Sequence, residues 1–442
     1  MKNDLTQGNL FKNIIVFTLP YLLSYFLQTL YGMADLFIVG QYNGAASISG
    51  VSVGSQIMHM ITVMLVGLSM GTVVHVGRYV GSHDDASISK VIGNSISAFA
   101  LTAIFLVIVL FLLLEPILTV MSVPVEALEE TRNYLSICFI GIPFIIAYNL
   151  LSAIFRGLGD SKTPMYFIAI ACIANIALDY LFIGGFDMKS SGAAYGTIIA
   201  QTISVLVSLI AIIKKKLITL HKEDLKFEHD IIVPILKTGL PVAIQDGFIQ
   251  ISFLIITSIA NSRGVEISAA VGIVEKIISF IFLVPSSMMS TVSTIASQSY
   301  GAGKKELARK TLFICISMGI SICVFIAILF QFISESVIGL FTSETNVISL
   351  GASYMHSYVF DSVVASVHFC MSGFFVAAGF SYVSFIHNII SIITCRVPLA
   401  YLASKIYPDT LFPMGLAAPI GGIVQILVCL FFFYRFNKQG KI

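Results

Sequence analysis

Tryptophan is absent, charged residues make up 11% of the 442, and none of the seven cysteines belongs to a CxxC pair. A soluble domain carries about 25% charged residues, so the shortage of charge excludes an ordinary soluble fold. The cysteines lie inside apolar runs without adjacent histidines, which leaves packing as their role and provides no metal or redox motif. Histidines 59, 75, 83, 221, 229, 356, 368 and 387 show no HExxH or other ligand spacing. There is no Walker motif to bring ATP in as a direct energy source and no Gly-x-Ser-x-Gly elbow. No enzyme is therefore expected, no cofactor and no nucleic-acid partner. Without tryptophan, tyrosines such as Tyr21, Tyr134, Tyr354 and Tyr401 must supply any aromatic belt at a membrane interface.

The chain is rich in apolar runs of 18 residues or more, and 57% of it is hydrophobic. Runs of that length read as membrane-spanning helices. Twelve are predicted, over about 12–39, 46–78, 90–114, 131–157, 162–184, 192–213, 231–260, 267–297, 308–333, 347–379, 381–405 and 413–436. The opening MKNDLTQGNLFKN reads as a leader into the first span rather than a signal peptide, because the apolar run that follows is too long. The stretch 214–230, KKKLITLHKEDLKFEHD, is a hydrophilic linker between an N-terminal lobe (1–213) and a C-terminal lobe (231–442). The predicted fold class is all-α: a polytopic membrane protein of two six-helix lobes.

Nineteen of the 25 lysines and arginines fall in the termini and even-numbered loops, against four in the odd-numbered loops. The positive-inside rule then places both termini in the cytoplasm and the chain in the cell membrane, against lipid. The halves also repeat. Gly81, Lys90, Glu115, Tyr134 and Gly159 match Gly301, Lys310, Glu335, Tyr354 and Gly379 at a constant offset of 220, and Leu19-Pro20 aligns with Leu240-Pro241. Ala193-Ala194 with Gln201 matches Ala417-Ala418 with Gln425 at an offset of 224. An even repeat keeps both halves in one orientation, related by a pseudo-twofold axis along the membrane normal. Parallel repeats of this kind suit alternating access.

Acids inside spans cost roughly 3 kcal/mol or more and normally face a protein interior or a water-filled cavity. Asp35 lies toward the outer end of span one, with Gln28 seven residues before it on the same face. At about 1.5 Å per residue, Asn175 and Asp179 of span five, Thr197 of span six and Tyr134 of span four reach a similar depth. Two carboxylates, an amide and a hydroxyl are oxygen ligands suited to a hard cation such as Na⁺. Two close carboxylates in a low dielectric also resist joint ionisation, which is what a proton site needs. Local hydrogen bonding that only aids packing is the plainer alternative. Asp246, Glu275, Asp361 and Arg396 form a second candidate group, in the C-terminal lobe, as a substrate-cation surface or a structural charge network. Pro20 is expected to bend span one and swing the part that bears Asp35.

Several of these segments resemble a known family. LQTLYGMADLFIVG, with Gln28 and Asp35, is similar to the first span of multidrug and toxic compound extrusion (MATE) transporters. NIALDYLFI, with Asn175 and Asp179, resembles their fifth span and GAAYGT, with Thr197, their sixth. The loops at Gly81 and Gly301, FRGLGDSKTPM and RVPLAYL look like the same family, most like its bacterial branch related to DNA-damage-inducible protein F. The resemblance implies that Asp35, Asn175, Asp179 and Thr197 form a cation-coupling site, with Gln28 and Tyr134 as neighbours. It implies export of organic cations or amphiphiles against an inward Na⁺ or H⁺ gradient, by a chain expected to act as a monomer. A glutamate that another branch uses in span seven has only Asp246 nearby, in a different context. The alternatives are a lipid-linked saccharide flippase of the same architecture, which the excess of intramembrane acids (five against two bases) disfavours, and a scaffold or sensor without transport.

Overall fold

The computed structural model describes residues 3–215 and 221–442. Twelve helices within them are long and apolar enough to cross a membrane. The first six are α1 (Leu10–Tyr42), α2 (Ala45–Gly81), α3 (Asp85–Val120), α4 (Val125–Gly157), α5 (Lys162–Gly185) and α6 (Lys189–Lys214). The second six are α7 (His229–Asn261), α8 (Val265–Gly301), α9 (Lys305–Ile338), α10 (Thr345–Ala378), α11 (Ser381–Ile406) and α12 (Phe412–Lys438). All twelve predicted spans are present, most extended by a few residues at each end. A bilayer core needs about 20 helical residues, so helices of 33–37 residues such as α1–α4 tilt or project beyond it.

The repeat is visible in the backbone. Helices α2, α3 and α4 begin at 45, 85 and 125, and α8, α9 and α10 at 265, 305 and 345, an offset of 220 each time. Gly159 and Gly379, which close α4 and α10, both adopt the left-handed conformation, with φ of +82° and +91°. That conformation ends a helix at little cost only for glycine. Local chemistry differs within the shared frame. The Asp84 carboxylate caps α3 by accepting from the Ser87 N–H (3.1 Å) and hydroxyl (2.6 Å); these bonds hold its carboxyl below the usual range. The matching cap of α9 is Lys304, which makes no such bond.

Interruptions follow missing donors. Pro285 leaves the Ile281 carbonyl without its i+4 partner, and α8 breaks at Phe282 between the two. Pro419 does the same to Gly415, and α12 breaks at Leu416. Helices α5 and α11 each contain a π turn, at Tyr180–Gly185 and Ile392–Arg396. Such turns often sit at functional sites.

The chain forms two compact units. Leu19–Ala243 makes one with the extreme N-terminus; Leu5–Thr18 and Ile244–Ile442 make the other. The boundaries therefore differ from the linear halves 1–213 and 231–442, for a packing reason. In the second unit the Leu5 N–H donates to Gln298 (2.8 Å), and the Thr18 and Thr291 hydroxyls are 2.9 Å apart. In the first, α2 and the start of α7 approach so closely that a Cβ at Gly71 would strike the Ile235 carbonyl and one at Gly239 the Leu68 carbonyl. Pro20 and Pro241 lie within three residues of the two crossing points.

Helix α3 shows how the sequence sorts its faces. Ala103, Leu110 and Leu114 are buried, whereas Leu101, Ile104, Phe105, Ile108 and Leu112 form an exposed apolar stripe at helical spacing. A stripe of that kind would be unstable in water and is at home in lipid.

Candidate functional site

The first unit gathers polar side chains from four helices into one buried cluster. On α1, Gln28, Tyr31 and Asp35 follow at i, i+3 and i+7 and share a face. On α5, Asn175 and Asp179 are four apart and immediately precede the π turn. Helix α6 supplies Gly196, Thr197 and Gln201, and α4 supplies Tyr134 and Cys138. Asp35, Asn175 and Asp179 are 3%, 1% and 0% exposed, which places all three out of reach of bulk water.

Thr197 Oγ1 donates to Asp35 Oδ2 at 3.1 Å. The Asp35 carboxyl also lies close enough to Asp179 and Asn175 for their side chains to interact directly. Their remaining valences are unfilled. Asp35 Oδ1, both Asp179 carboxylate oxygens and both polar atoms of the Asn175 amide are buried without a hydrogen bond of good geometry. Orphaned buried polar atoms are costly, and carboxylates the more so. A group of them facing each other therefore calls for a proton or a cation among them. No lysine, arginine or histidine among the described residues supplies that charge. The donor set, two carboxylates with an amide and a hydroxyl, is hard oxygen chemistry of the kind Na⁺ accepts. Among the described residues no cluster of three or more His, Cys, Asp or Glu side chains offers a transition-metal site.

Tyr134 stands beside this group and interacts with both Asp35 and Cys138. Its ring occupies space that α2 leaves free at Gly54, where a Cβ would overlap it. Gln28 meets Tyr31 rather than Asp35, and Gln201 Nε2 also donates to the Tyr31 hydroxyl at 3.3 Å. Four participants, Tyr31, Cys138, Gly196 and Gln201, were not singled out from the sequence as site residues. Tyr31 could have been found by its position four residues before Asp35, and Gln201 by its place four residues after Thr197. Gly196 carries no signal of its own. A Cβ there would collide with Asp179 Oδ1, so the glycine makes room for the carboxylate.

In the second unit, Asp361 (α10), Glu275 (α8) and Arg396 (α11) come together, while Asp246 does not join them. Among the described residues no charged group couples to Asp246. Arg396 Nη2 donates to the Tyr358 hydroxyl at 3.0 Å, and its guanidinium lies 4.5 Å from the Phe253 ring centroid. Thr257 Oγ1 donates to Glu275 Oε2 at 3.0 Å. Asp361, Arg396, His368, Asn388 and Gln425 help line a cavity of about 40 Å³. Gln425, the repeat partner of Gln201, donates to Asn388 Oδ1 at 3.2 Å.

The family model described as MatE matches the chain twice, over residues 20–181 and 241–402. The chain belongs to the MatE family. The two matches are 221 residues apart, so the repeat read from single residues is also a repeat of the MatE unit. Among curated relatives, the probable multidrug resistance protein YpnP of Bacillus subtilis is 30% identical over 98% of this chain and 97% of its own length. The probable multidrug resistance protein YoeA of the same organism is 24% identical over 99% and 96%. A crystal structure of MATE in complex with MaL6 superposes with a TM-score of 0.92 at 21% identity, covering 99% of each chain. At that identity the likeness concerns the fold, and it makes this MatE chain a multi-pass helical membrane protein of two lobes.

Proposed function

We propose that this chain is a cation-coupled antiporter that exports drug-like or toxic organic amphiphiles by alternating access. The observation that carries the reading is the set of unpartnered buried oxygens shared by Asp35, Asn175 and Asp179, completed by the Thr197 hydroxyl. Such a set is stable only when it holds a positive charge, and a transporter can release that charge when the site opens. In this reading inward Na⁺ or H⁺ fills the site, and Asp35 and Asp179 are the coupling carboxylates. Gln28, Tyr31, Tyr134 and Gln201 hold the face of α1 that presents Asp35. The relatives named as probable multidrug resistance proteins support the substrate class. The span-one and span-five residues support a place in the branch related to DNA-damage-inducible protein F. The distribution of lysine and arginine supports cytoplasmic termini in the cell membrane. A single chain carries both repeats, in keeping with a monomer.

Efflux of a fluorescent organic cation from vesicles, with Na⁺ and pH gradients imposed separately, tests the reading and identifies the ion. One gradient alone is expected to drive efflux. Asp35→Asn and Asp179→Asn are each expected to abolish gradient-driven efflux while leaving the protein folded in the membrane. Full efflux by both variants would remove the coupling assignment.

A further inference from the structure

The two units handle buried acids in opposite ways. In the first, Asp35 and Asp179 face each other with no basic side chain coupled to them among the described residues. In the second, Asp361 and Glu275 both feel the charge of one arginine, Arg396. Arg396 is 8% exposed and Asp361 3%, so the guanidinium is a resident of the interior and not a surface charge turned inward. It is held from two sides, by the Tyr358 hydroxyl and by the Phe253 ring face. Direct ion pairs do not join it to either acid among the described residues. The cavity of about 40 Å³ that Arg396 and Asp361 both line instead has room for about three or four waters, at roughly 10–15 Å³ each. Polar groups that share such a cavity without a direct bond commonly interact through water. Arg396 Nε and Ser391 Oγ, both buried and unpartnered, are the atoms such waters would satisfy.

The repeat sharpens the contrast. At the offset of 220 that relates Gly159 to Gly379, Arg396 corresponds to position 176, beside Asn175 on the helix that carries Asp179. Where the first repeat places oxygen ligands, the second places a cation on a side chain.

We propose that Arg396 is a tethered cation: its guanidinium takes, in the second unit, the electrostatic place that a transported cation takes in the first, so Asp361 and Glu275 bind no external ion. This rests on the coupling role given to the first unit. Only that unit then exchanges an ion during transport. Removing the guanidinium opens a site for a small monovalent cation.

Binding of ²²Na⁺ to the purified full chain in detergent, at alkaline pH where protons compete least for carboxylates, tests this. R396Q is expected to bind one equivalent more than the parent chain, and R396Q/D361N is expected to lose that gain. R396K, which keeps the charge, is expected to match the parent. A folded R396Q with the parent count overturns the proposal. If R396Q does not fold, D361N in the otherwise intact chain decides. An unchanged ²²Na⁺ count is expected, and loss of an equivalent overturns the tethered cation, because Asp361 would then already hold an external ion. Asp35→Asn reports on the first unit separately. A gain in R396Q together with no loss in D35N would sink the coupling assignment and leave the tethered cation standing.

Discussion

Asp35 has a defined hydrogen bond to one neighbour, the Thr197 hydroxyl at 3.1 Å, and that bond offers the finest probe of the site. Thr197→Val keeps the side-chain shape and removes the donor. A hydrogen bond to a charged group contributes about 1.5–3 kcal/mol, so apparent affinity for the coupling ion is expected to fall roughly tenfold or more. Ion titration of efflux measures it, and unchanged ion dependence would show that Thr197 does not act on Asp35. Gly196 is a second probe, acting through space and not charge. A Cβ there must displace the Asp179 carboxylate, so Gly196→Ala is expected to lose coupling as Asp179→Asn does, although no ionisable group is touched. Efflux at parent rates from this variant would mean that Asp179 can move aside without consequence.

Helix α1 carries the site and also crosses between the compact units, with the crossing just before Pro20. Proline removes one helical hydrogen bond and crowds the carbonyl four residues earlier. Ser24 Oγ donates to the Pro20 carbonyl at 2.8 Å, a side-chain bond within the turn that follows the proline. A helix weakened at one turn bends there first. Pro20→Ala is expected to slow turnover while leaving substrate binding intact, read as a lower maximal efflux rate at an unchanged dissociation constant. Equal rates would remove Pro20 from the transport cycle. Pro241 occupies the equivalent turn of α7 beside the other crossing. The prolines thus mark the same place in each repeat, while the acids buried within the spans do not. Asp35 corresponds to position 256 and Asp361 to position 141, neither of which is charged. Pro20 and Pro241 are common to both repeats, whereas the buried acids belong to each half separately.

At the scale of the whole chain, the distribution of lysine and arginine gives a testable orientation. A C-terminal reporter that is active only in the cytoplasm is expected to be active, as is one placed after Lys162, whereas one placed after Lys189 is expected to be silent. The reverse pattern would overturn the positive-inside assignment.

The sequence by itself determined the twelve helices, because spanning a bilayer demands long runs of apolar residues whatever packs around them. It determined the repeat, because Gly81, Gly159 and Pro20 recur at a constant offset in Gly301, Gly379 and Pro241. It also brought Asp35, Asn175, Asp179 and Thr197 to one depth, since helical rise converts residue number into height. Only the tertiary structure decided which of these side chains meet, because rotation about each helix axis is set by packing that no single segment encodes. Packing left Asp246 with no charged partner among the described residues and joined Gln201 to Tyr31. It cut the compact units at Pro20 and Pro241 and not at the hydrophilic linker, because Leu5–Thr18 finds its partners on α8. It also placed Arg396 next to two acids that lie 35 and 121 residues before it in the chain. Sequence distance carries no information about such a pairing, and burial makes it matter.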